Sequence, residues 1–340
     1  MQEHKKYIKR CLEIAAKGRL NVAPNPKVGC VIVKDNSIVA EGYHQEYGGH
    51  HAEVNAFLAL EKTVYNASDC TVYVSLEPCS HFGKTPPCSE LIINKRPKLV
   101  VVGMLDPNPQ VAGSGVRKIK EAGIDVICSV LEDECRALNK SFIKQHTKNT
   151  PFITLKWAQS KDGFIGNDIK GQKQISSPEN ADVVHRLRAQ NQAILVGSTT
   201  VNNDNPKLTT RNWIGNDPIK VVLSRSLSVD LEKAMFKVGN SLIYNELKDE
   251  ETSYYSLIKL DQCNIVDILK NLHSRGIQSV LVEGGSEILN QFIEHNLWNE
   301  IVVLESTGEL KSGVVTPQLK LAPKSCQSRN GDLIRFYSNG

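Results

Sequence analysis

His51-Ala52-Glu53, followed at a distance by Pro78-Cys79 and Pro87-Cys88, supplies three soft or borderline metal ligands and one carboxylate not needed as a ligand. One imidazole and two thiolates can hold a zinc ion with its fourth position open, which leaves Glu53 free to move protons. That equipment suits replacement of an amino group on a ring carbon by an activated water. A closed structural site would need a fourth protein ligand, and none is obvious nearby. The short deaminase pattern P-C-x-x-C keeps its cysteines close together. Here eight residues separate Cys79 from Cys88, so this loop is expected to wrap the site. Taken singly, His51 would pass for a surface helix residue and the cysteines for buried thiols. The whole constellation, with Glu two residues after His and Pro before each Cys, points to metal chemistry.

A second chemical signal lies in Val280-Leu281-Val282-Glu283-Gly284-Gly285-Ser286, a strand, then glycines, then a helix through Ile288, Leu289 and Phe292. Paired glycines let backbone N–H groups approach a phosphate at a helix start. Ser224-Arg225, after the strand Ile219 to Leu223, could seat an adenosine 2′-phosphate, although an exposed Arg in that place is usually just solvated. Val196 to Val201 and Asn203 to Pro206 read as a further strand-exit loop rich in hydrogen-bonding groups, with Asp204 also suited to forming a turn. The dinucleotide fingerprint G-x-G-x-x-G is absent: Gly113-Ser114-Gly115 lacks the third glycine and the strand context. These residues by themselves support a phosphate-bearing ligand at the C-terminal edge of a sheet.

The elements that must position these residues alternate between helix and strand, which predicts α/β domains with largely parallel sheets. Tyr7, Ile8, Cys11, Leu12 and Ala15 recur at helical spacing. Val28 to Val33 reads as a strand, turned back by Asp35-Asn36 into Ile38-Val39-Ala40. Ala52 to Leu60 is a helix former and places His51 and Glu53 at its start. Cys79 follows the strand Thr71 to Ser75, and Cys88 begins a helix. Both metal arms therefore sit at helix N-termini, where the dipole favours thiolate. Leu99 to Met104 and Asp125 to Cys128 are strands, with a helix around Val116 to Ala122 between them. A helix from Glu132 to Lys148 closes the first unit, and Asn149-Thr150-Pro151 is the boundary, giving domains 1–148 and 151–340. The second begins with a strand from Phe152 to Ala158. Ser177-Pro178 reads as a hydroxyl cap and a first-turn proline for a helix to Arg188. Strands at Ala193 to Val196, Ile219 to Leu223, Leu242 to Tyr244 and Ser279 to Val282 follow, with a helix from Ile265 to Arg275. Leu231 to Asp261 and the tail after Ser306 are weakly patterned.

A length of 340 residues suits two domains, and a 40% hydrophobic content is ample for their cores. The net charge of +4 gives no nucleic-acid footprint, yet suits phosphorylated substrates. No targeting segment is evident, and the apolar runs are of strand length, so no membrane span is expected. Nine scattered cysteines fit a reducing, cytoplasmic setting.

Pro24-Asn25-Pro26-Lys27-Val28-Gly29-Cys30, Gly42-Tyr43-His44, Gly48-Gly49-His50-His51-Ala52-Glu53 and the run from Glu77 to Cys88 resemble the deaminase half of the bifunctional riboflavin biosynthesis family. Thr154 to Gly163, Leu187 to Gln190, Thr200 to Arg211 and Val282 to Gly285 resemble its reductase half. The likeness spans roughly residues 4–300. It implies a cytidine-deaminase-like α/β/α domain followed by a dihydrofolate-reductase-like α/β domain, and a homo-oligomer. The implied reaction is hydrolytic deamination of 2,5-diamino-6-(5-phosphoribosylamino)pyrimidin-4(3H)-one to the 5-aminouracil, then NADPH-dependent reduction of the ribosyl group to ribityl.

Carried over motif by motif, His51, Cys79 and Cys88 hold one Zn2+ and Glu53 shuttles the proton. Asn25, His44 and His50 line the pyrimidine and phosphate pocket. Ala158, Gln174, Thr200, Asp204, Ser224 and the run Gly285, Ser286, Glu287, Ile288, Leu289, Asn290 and Gln291 fall near the cofactor. Gln172, Arg188, Leu208, Arg211 and Glu283 fall near the substrate, the two arginines being suited to its 5′-phosphate. Lys156 and Glu283 are the expected catalytic pair for hydride transfer. The chain departs from the family pattern at Gln172 and Gln174, where relatives carry Ser and Trp, and the segment after Glu300 looks short. A deaminase with a degenerate, non-catalytic reductase-like domain is therefore the alternative. A nucleic-acid editing protein would show a basic stripe with exposed aromatics, which the mild charge and 6% aromatic content oppose. A non-catalytic zinc module would have no use for Glu53.

Overall fold

The computed structural model describes residues 2–82, 86–108, 111–166 and 175–339. Gln172 and Gln174 lie outside the described residues. The chain divides into two compact units, Met1–Asn149 and Thr150–Gly340. Among the described residues no helix is long and apolar enough to cross a membrane.

The first unit runs α1 (Gln2–Ala15), β1 (Gly29–Lys34), β2 (Ser37–Tyr43), α2 (Ala52–Leu60), β3 (Thr71–Leu76), α3 (Cys88–Lys95), β4 (Leu99–Met104), α4 (Ser114–Glu121), β5 (Asp125–Ile127), α5 (Glu132–Leu138) and α6 (Lys140–Lys148). Its sheet has the order β2-β1-β3-β4-β5. β1 pairs antiparallel with both β2 and β3, whereas β3, β4 and β5 run parallel. The expected hairpin makes β1 run against the other four strands, which all share one direction. Asp35 and Asn36 both adopt positive φ, the twist that a two-residue hairpin turn requires.

Strand alternation sends Val31, Val33 and Tyr73 to one face, against Tyr7, Ile8, Cys11 and Ile14 of α1. It sends Cys30, Ile32, Val72 and Val74 to the other, against Ala56, Phe57 and Leu60 of α2. Gly42 lets α2 lie directly on β2: a Cβ there would fall 2.3 Å from the Ala56 nitrogen. That approach fixes where α2 begins, and hence where His51 stands. The single helix expected over Glu132 to Lys148 is interrupted at Asn139, whose backbone leaves helical geometry (φ −110°, ψ 20°).

The second unit runs β6 (Phe152–Gln159), β7 (Phe164–Gly166), α7 (Ala181–Ala189), β8 (Ala193–Gly197), α8 (Ser198–Asp204), β9 (Ile219–Leu223), β10 (Ser241–Asn245), β11 (Glu250–Glu251), β12 (Tyr255–Lys259), α9 (Ile265–Ser274), β13 (Ser279–Val282), α10 (Ser286–Glu294), β14 (Glu300–Glu305), β15 (Val314–Val315), β16 (Ser325–Arg329) and β17 (Asp332–Ser338). The main sheet has the order β11-β12-β10-β9-β8-β13-β6-β14-β17-β16, and β7 pairs with β15 apart from it. From β12 to β14 every neighbour is parallel, and the apolar runs of β6, β8 and β13 are buried on both faces, as such sheets demand.

Three expectations change. The weakly patterned tail forms β17, which pairs antiparallel with β14 along its length. The strand-exit loop after Val196 is largely the short helix α8. Ser177 makes no side-chain cap bond to the backbone, because its hydroxyl engages Glu179 instead; Pro178 opens a 3₁₀ turn before α7.

Candidate functional site

His51 is the residue before the first turn of α2, Cys88 opens α3, and Cys79 lies beyond the C-terminal end of β3. Their ligand atoms lie within 4.8 Å of one another, and among the described residues this is the one such cluster. His51 Nδ1 stands 3.6 Å from Cys79 Sγ and 3.3 Å from Cys88 Sγ. Zinc bond lengths at tetrahedral angles require about 3.5 Å between an imidazole nitrogen and a thiolate sulfur. The residues therefore fit the ion. The Cys79 sulfur is drawn down to about 4, first by the Cys88 thiol and then by His51, while the Cys79 sulfur, and after it burial, push Cys88 up. Two sulfurs and an imidazole brought together in a partly buried place form a donor set that a cation satisfies.

Glu53, in the first turn of α2, is 3% exposed and faces the same cavity. Burial, followed by the Cys79 sulfur, raises its carboxyl to about 7. The cavity measures about 560 Å³ and is lined by Asn25, His44, His51, Glu53 and Cys79, among others. His44 Nδ1 lies 2.9 Å from the His50 carbonyl and its Nε2 lies 3.0 Å from Asn25 Nδ2. With Nδ1–H donating, Nε2 accepts from the Asn25 amide, which assigns a neutral ring; burial lowers the His44 pKa accordingly. The His50 ring is exposed and off the cavity wall, so the expectation for it is corrected: its contribution is the carbonyl, which also accepts from Asn55.

Sequence reasoning missed several wall residues. Glu77 is buried, and its carboxylate accepts from the backbone N–H groups of Asp106, Gly113, Gly115 and Val116. It thereby anchors the segment that brings Asp106, Asn108 and Val111 to the wall. From α6, Phe142, Gln145 and His146 also line the cavity. The motif Glu77-Pro78-Cys79 carried a hint of Glu77. The α6 residues gave none, because their target lies more than a hundred residues earlier.

The second unit holds a cavity of about 440 Å³. Thr200, Asp204, Gly285, Ser286, Glu287, Ile288 and Gln291 line it, as do Arg225 and Ser228. Within α10 only part of the expected run faces the cavity: Leu289 points into the core and Asn290 lies off the wall, since a helix turns its successive side chains about its axis. Ser224 is buried and its hydroxyl accepts from the Val229 backbone, so Arg225 and Ser228 stand on the wall in its place. Ala158 packs against an apolar cluster of Val183, Val302, Leu304 and Ile334.

Lys156 of β6 lies beside Glu283, because Leu155 pairs with Val282 across neighbouring strands. Glu283 takes two hydrogen bonds from Arg188, at 3.1 and 2.8 Å, and a third Arg188 nitrogen donates to the Thr209 carbonyl. Burial alone would raise Glu283, but Arg188 and Lys156 hold it at about 2. Burial lowers Lys156, against the pull of Glu283. The planar fork of Arg188 is thus spent on Glu283 and is not open to grip a phosphate. Leu208 is buried with φ at +53°. Arg211 remains exposed, its backbone held by His185 Nδ1 at 3.0 Å.

Comparison with known proteins places both halves. Residues 1–104 match the cytidine and deoxycytidylate deaminase zinc-binding region, and residues 151–306 match the RibD C-terminal domain. The chain is similar to the riboflavin biosynthesis protein RibD of Aquifex aeolicus, at 36% identity over 98% of each protein. It is similar to that of Escherichia coli at 38% identity, over 87% of this chain and 86% of the relative. Among solved structures, the diaminohydroxyphosphoribosylaminopyrimidine deaminase/5-amino-6-(5-phosphoribosylamino)uracil reductase of Thermotoga maritima superposes with a TM-score of 0.90, at 36% identity and 98% coverage of both chains. Acinetobacter baumannii RibD gives 0.89 at 29% identity and 99% coverage of both.

Proposed function

The chain belongs to the RibD family of riboflavin biosynthesis proteins, and from that membership we infer how its two sites divide a bifunctional deaminase–reductase reaction. It is a zinc-dependent deaminase joined to a nicotinamide-dependent reductase, and the alternative of a degenerate second half has no support in the family matches. The observation that carries the first activity is the convergence of His51, Cys79 and Cys88 beside buried Glu53 in one cavity.

A zinc ion on those three residues would supply the Lewis acidity that brings a water's pKa towards neutrality. Glu53 takes one proton from the attacking water to the ring nitrogen, then carries the second, from the hydroxyl left on the tetrahedral carbon, to the departing amine. Carbon–oxygen bond formation and carbon–nitrogen cleavage thus yield ammonia and the 2-oxo ring. A carboxyl raised above its ordinary range by burial suits both halves of that transfer. Asn25 and His44 orient the pyrimidine.

In the second unit the cavity beside α8 and α10 takes the cofactor, and Arg225 favours NADPH through its 2′-phosphate. A nicotinamide cofactor bound there would supply hydride to the sugar's C1′ as its C1′–O4′ bond opens. Lys156 supplies the proton that O4′ takes up, its ammonium made more acidic by burial. Glu283, held ionised, positions Lys156 and Arg188 rather than titrating. Of the two arginines, Arg211 binds the 5′-phosphate, and the backbone at Leu208 shapes that end of the substrate site.

The test is incubation with the diaminopyrimidinone phosphate, with and without NADPH, followed by mass analysis. Amine-to-oxo exchange without NADPH and addition of a hydrogen pair with it are expected. No exchange would overturn the deaminase reading, and exchange without reduction would overturn the reductase reading.

A further inference from the structure

Asn139 interrupts the helical run that would otherwise join α5 to α6, and it is 3% exposed. Its side chain reaches the backbone of a residue 112 positions earlier. Oδ1 accepts from the Lys27 N–H at 2.8 Å, and Nδ2 donates to the Lys27 carbonyl at 3.0 Å. A primary amide presents one acceptor and one donor side by side, so it can hold both polar groups of a single peptide residue. No other side chain of that size does so in one orientation: Asp lacks the donor and Leu lacks both.

Lys27 ends the Pro24-Asn25-Pro26 turn. Asn25 projects from this turn into the deaminase cavity and donates to His44 Nε2 at 3.0 Å. His44 in turn donates from Nδ1 to the His50 carbonyl, next to the ligand His51. The same break in the helix precedes α6, whose Phe142 and Gln145 line the same cavity as Asn25. One buried amide thus ties together two segments that line the cavity.

We propose that Asn139 is a positioning residue for the deaminase, setting the pose of Asn25 through the Lys27 backbone; this rests on the deaminase reading of that cavity. Asn139 touches neither substrate nor metal. Its loss acts on substrate recognition rather than on the bond-making step.

The experiment compares Asn139→Ala, Asn25→Ala and the double variant in the zinc-loaded full chain. Deaminase KM and kcat, zinc content, and reductase turnover on the deaminated intermediate are measured. Asn139→Ala is expected to raise deaminase KM roughly tenfold, as loss of about one kilocalorie-scale constraint does, with kcat, zinc content and reductase turnover near wild type. The double variant is expected to be no worse than Asn25→Ala, since both changes interrupt one chain of contacts. Multiplying effects would overturn the proposal. So would parallel loss of both activities, which marks a merely structural role. Asn139→Asp keeps the shape and one of the two bonds; should the alanine variant fail to fold, the aspartate variant carries the same comparison. Wild-type turnover of the pyrimidine is the separate control: its absence would sink the deaminase reading, whereas its presence with additive variants would sink only the role of Asn139.

Discussion

Arg188 closes on Glu283 through two hydrogen bonds, Nε to Oε1 at 3.1 Å and Nη2 to Oε2 at 2.8 Å, with both side chains largely withdrawn from solvent. Lys156 lies close enough to share the same carboxylate field. The second unit therefore keeps two cations and one anion together in its interior. The anion is what makes the pair of cations tolerable.

Replacing Glu283 by Gln leaves Arg188 and Lys156 unbalanced. The expected cost is about 3 kcal/mol or more in the second unit, the usual range for breaking a buried pair. Reductase kcat should fall with it and deamination should persist. Denaturant midpoints and the two activities, measured side by side, check this.

The same pair sets a pH dependence. Glu283 titrates near 2 in the folded chain against an ordinary 4.5, so in this window the unfolded chain binds more protons. The stabilisation is complete above about 4.5 and is lost as pH falls towards 2. The second unit's thermal midpoint should drop across that window in the wild type, and Glu283→Gln should flatten the decline. An identical slope in both proteins would remove Glu283 as its source.

Glu53→Gln keeps the shape of the side chain but not its proton traffic. Zinc content should stay at wild-type level while deamination falls by roughly 10²–10⁴-fold. Reduction of the deaminated intermediate should be unaffected. Metal analysis and ammonia release decide it, and a variant that still releases ammonia at wild-type rate would end the role given to Glu53.

Removing zinc by chelation should abolish ammonia release and leave NADPH oxidation on the deaminated intermediate intact. Zinc returned to the stripped protein should restore activity, whereas Cys88→Ala should take up no stoichiometric zinc. Loss of both activities on chelation would contradict the assignment of the metal to the first site alone.

Glu77→Gln removes one of two carboxylate oxygens, each of which receives two backbone N–H groups. Hydrogen bonds to charged groups contribute about 1.5–3 kcal/mol each, so a loss of about 3 kcal/mol in the first unit is expected. Its unfolding midpoint should shift, while that of the second unit should not.

The metal cluster was legible because its ligands sit at element boundaries that local sequence signals mark: a strand exit at Cys79 and helix starts at His51 and Cys88. The parallel strands of the second unit were legible for a similar reason, as apolar runs bounded by turns. Asn139 and Glu77 were not, since their partners are chosen by tertiary packing across 112 and about 30 residues, and a local pattern carries no trace of that. The wall of the second unit's cavity was half legible. A contiguous run from Gly285 to Gln291 was expected, but helical rotation sends Leu289 inward. The closed fork of Arg188 was hidden because its acceptor, Glu283, lies 95 positions later.

The placement of β6 has a consequence for biosynthesis. It is the first strand of its unit, yet its two neighbours, β13 and β14, are the penultimate and last of the parallel set, and β14 is itself edged by β17 at the C-terminus. A ribosome would have released most of the chain before β6 could find either partner, whereas the first unit, contiguous and complete by Asn149, could already be folded. Nonsense or frameshift lesions upstream of β17 should consequently leave a product with a mature amino-terminal half and an unclosed carboxy-terminal sheet, exposed to proteases.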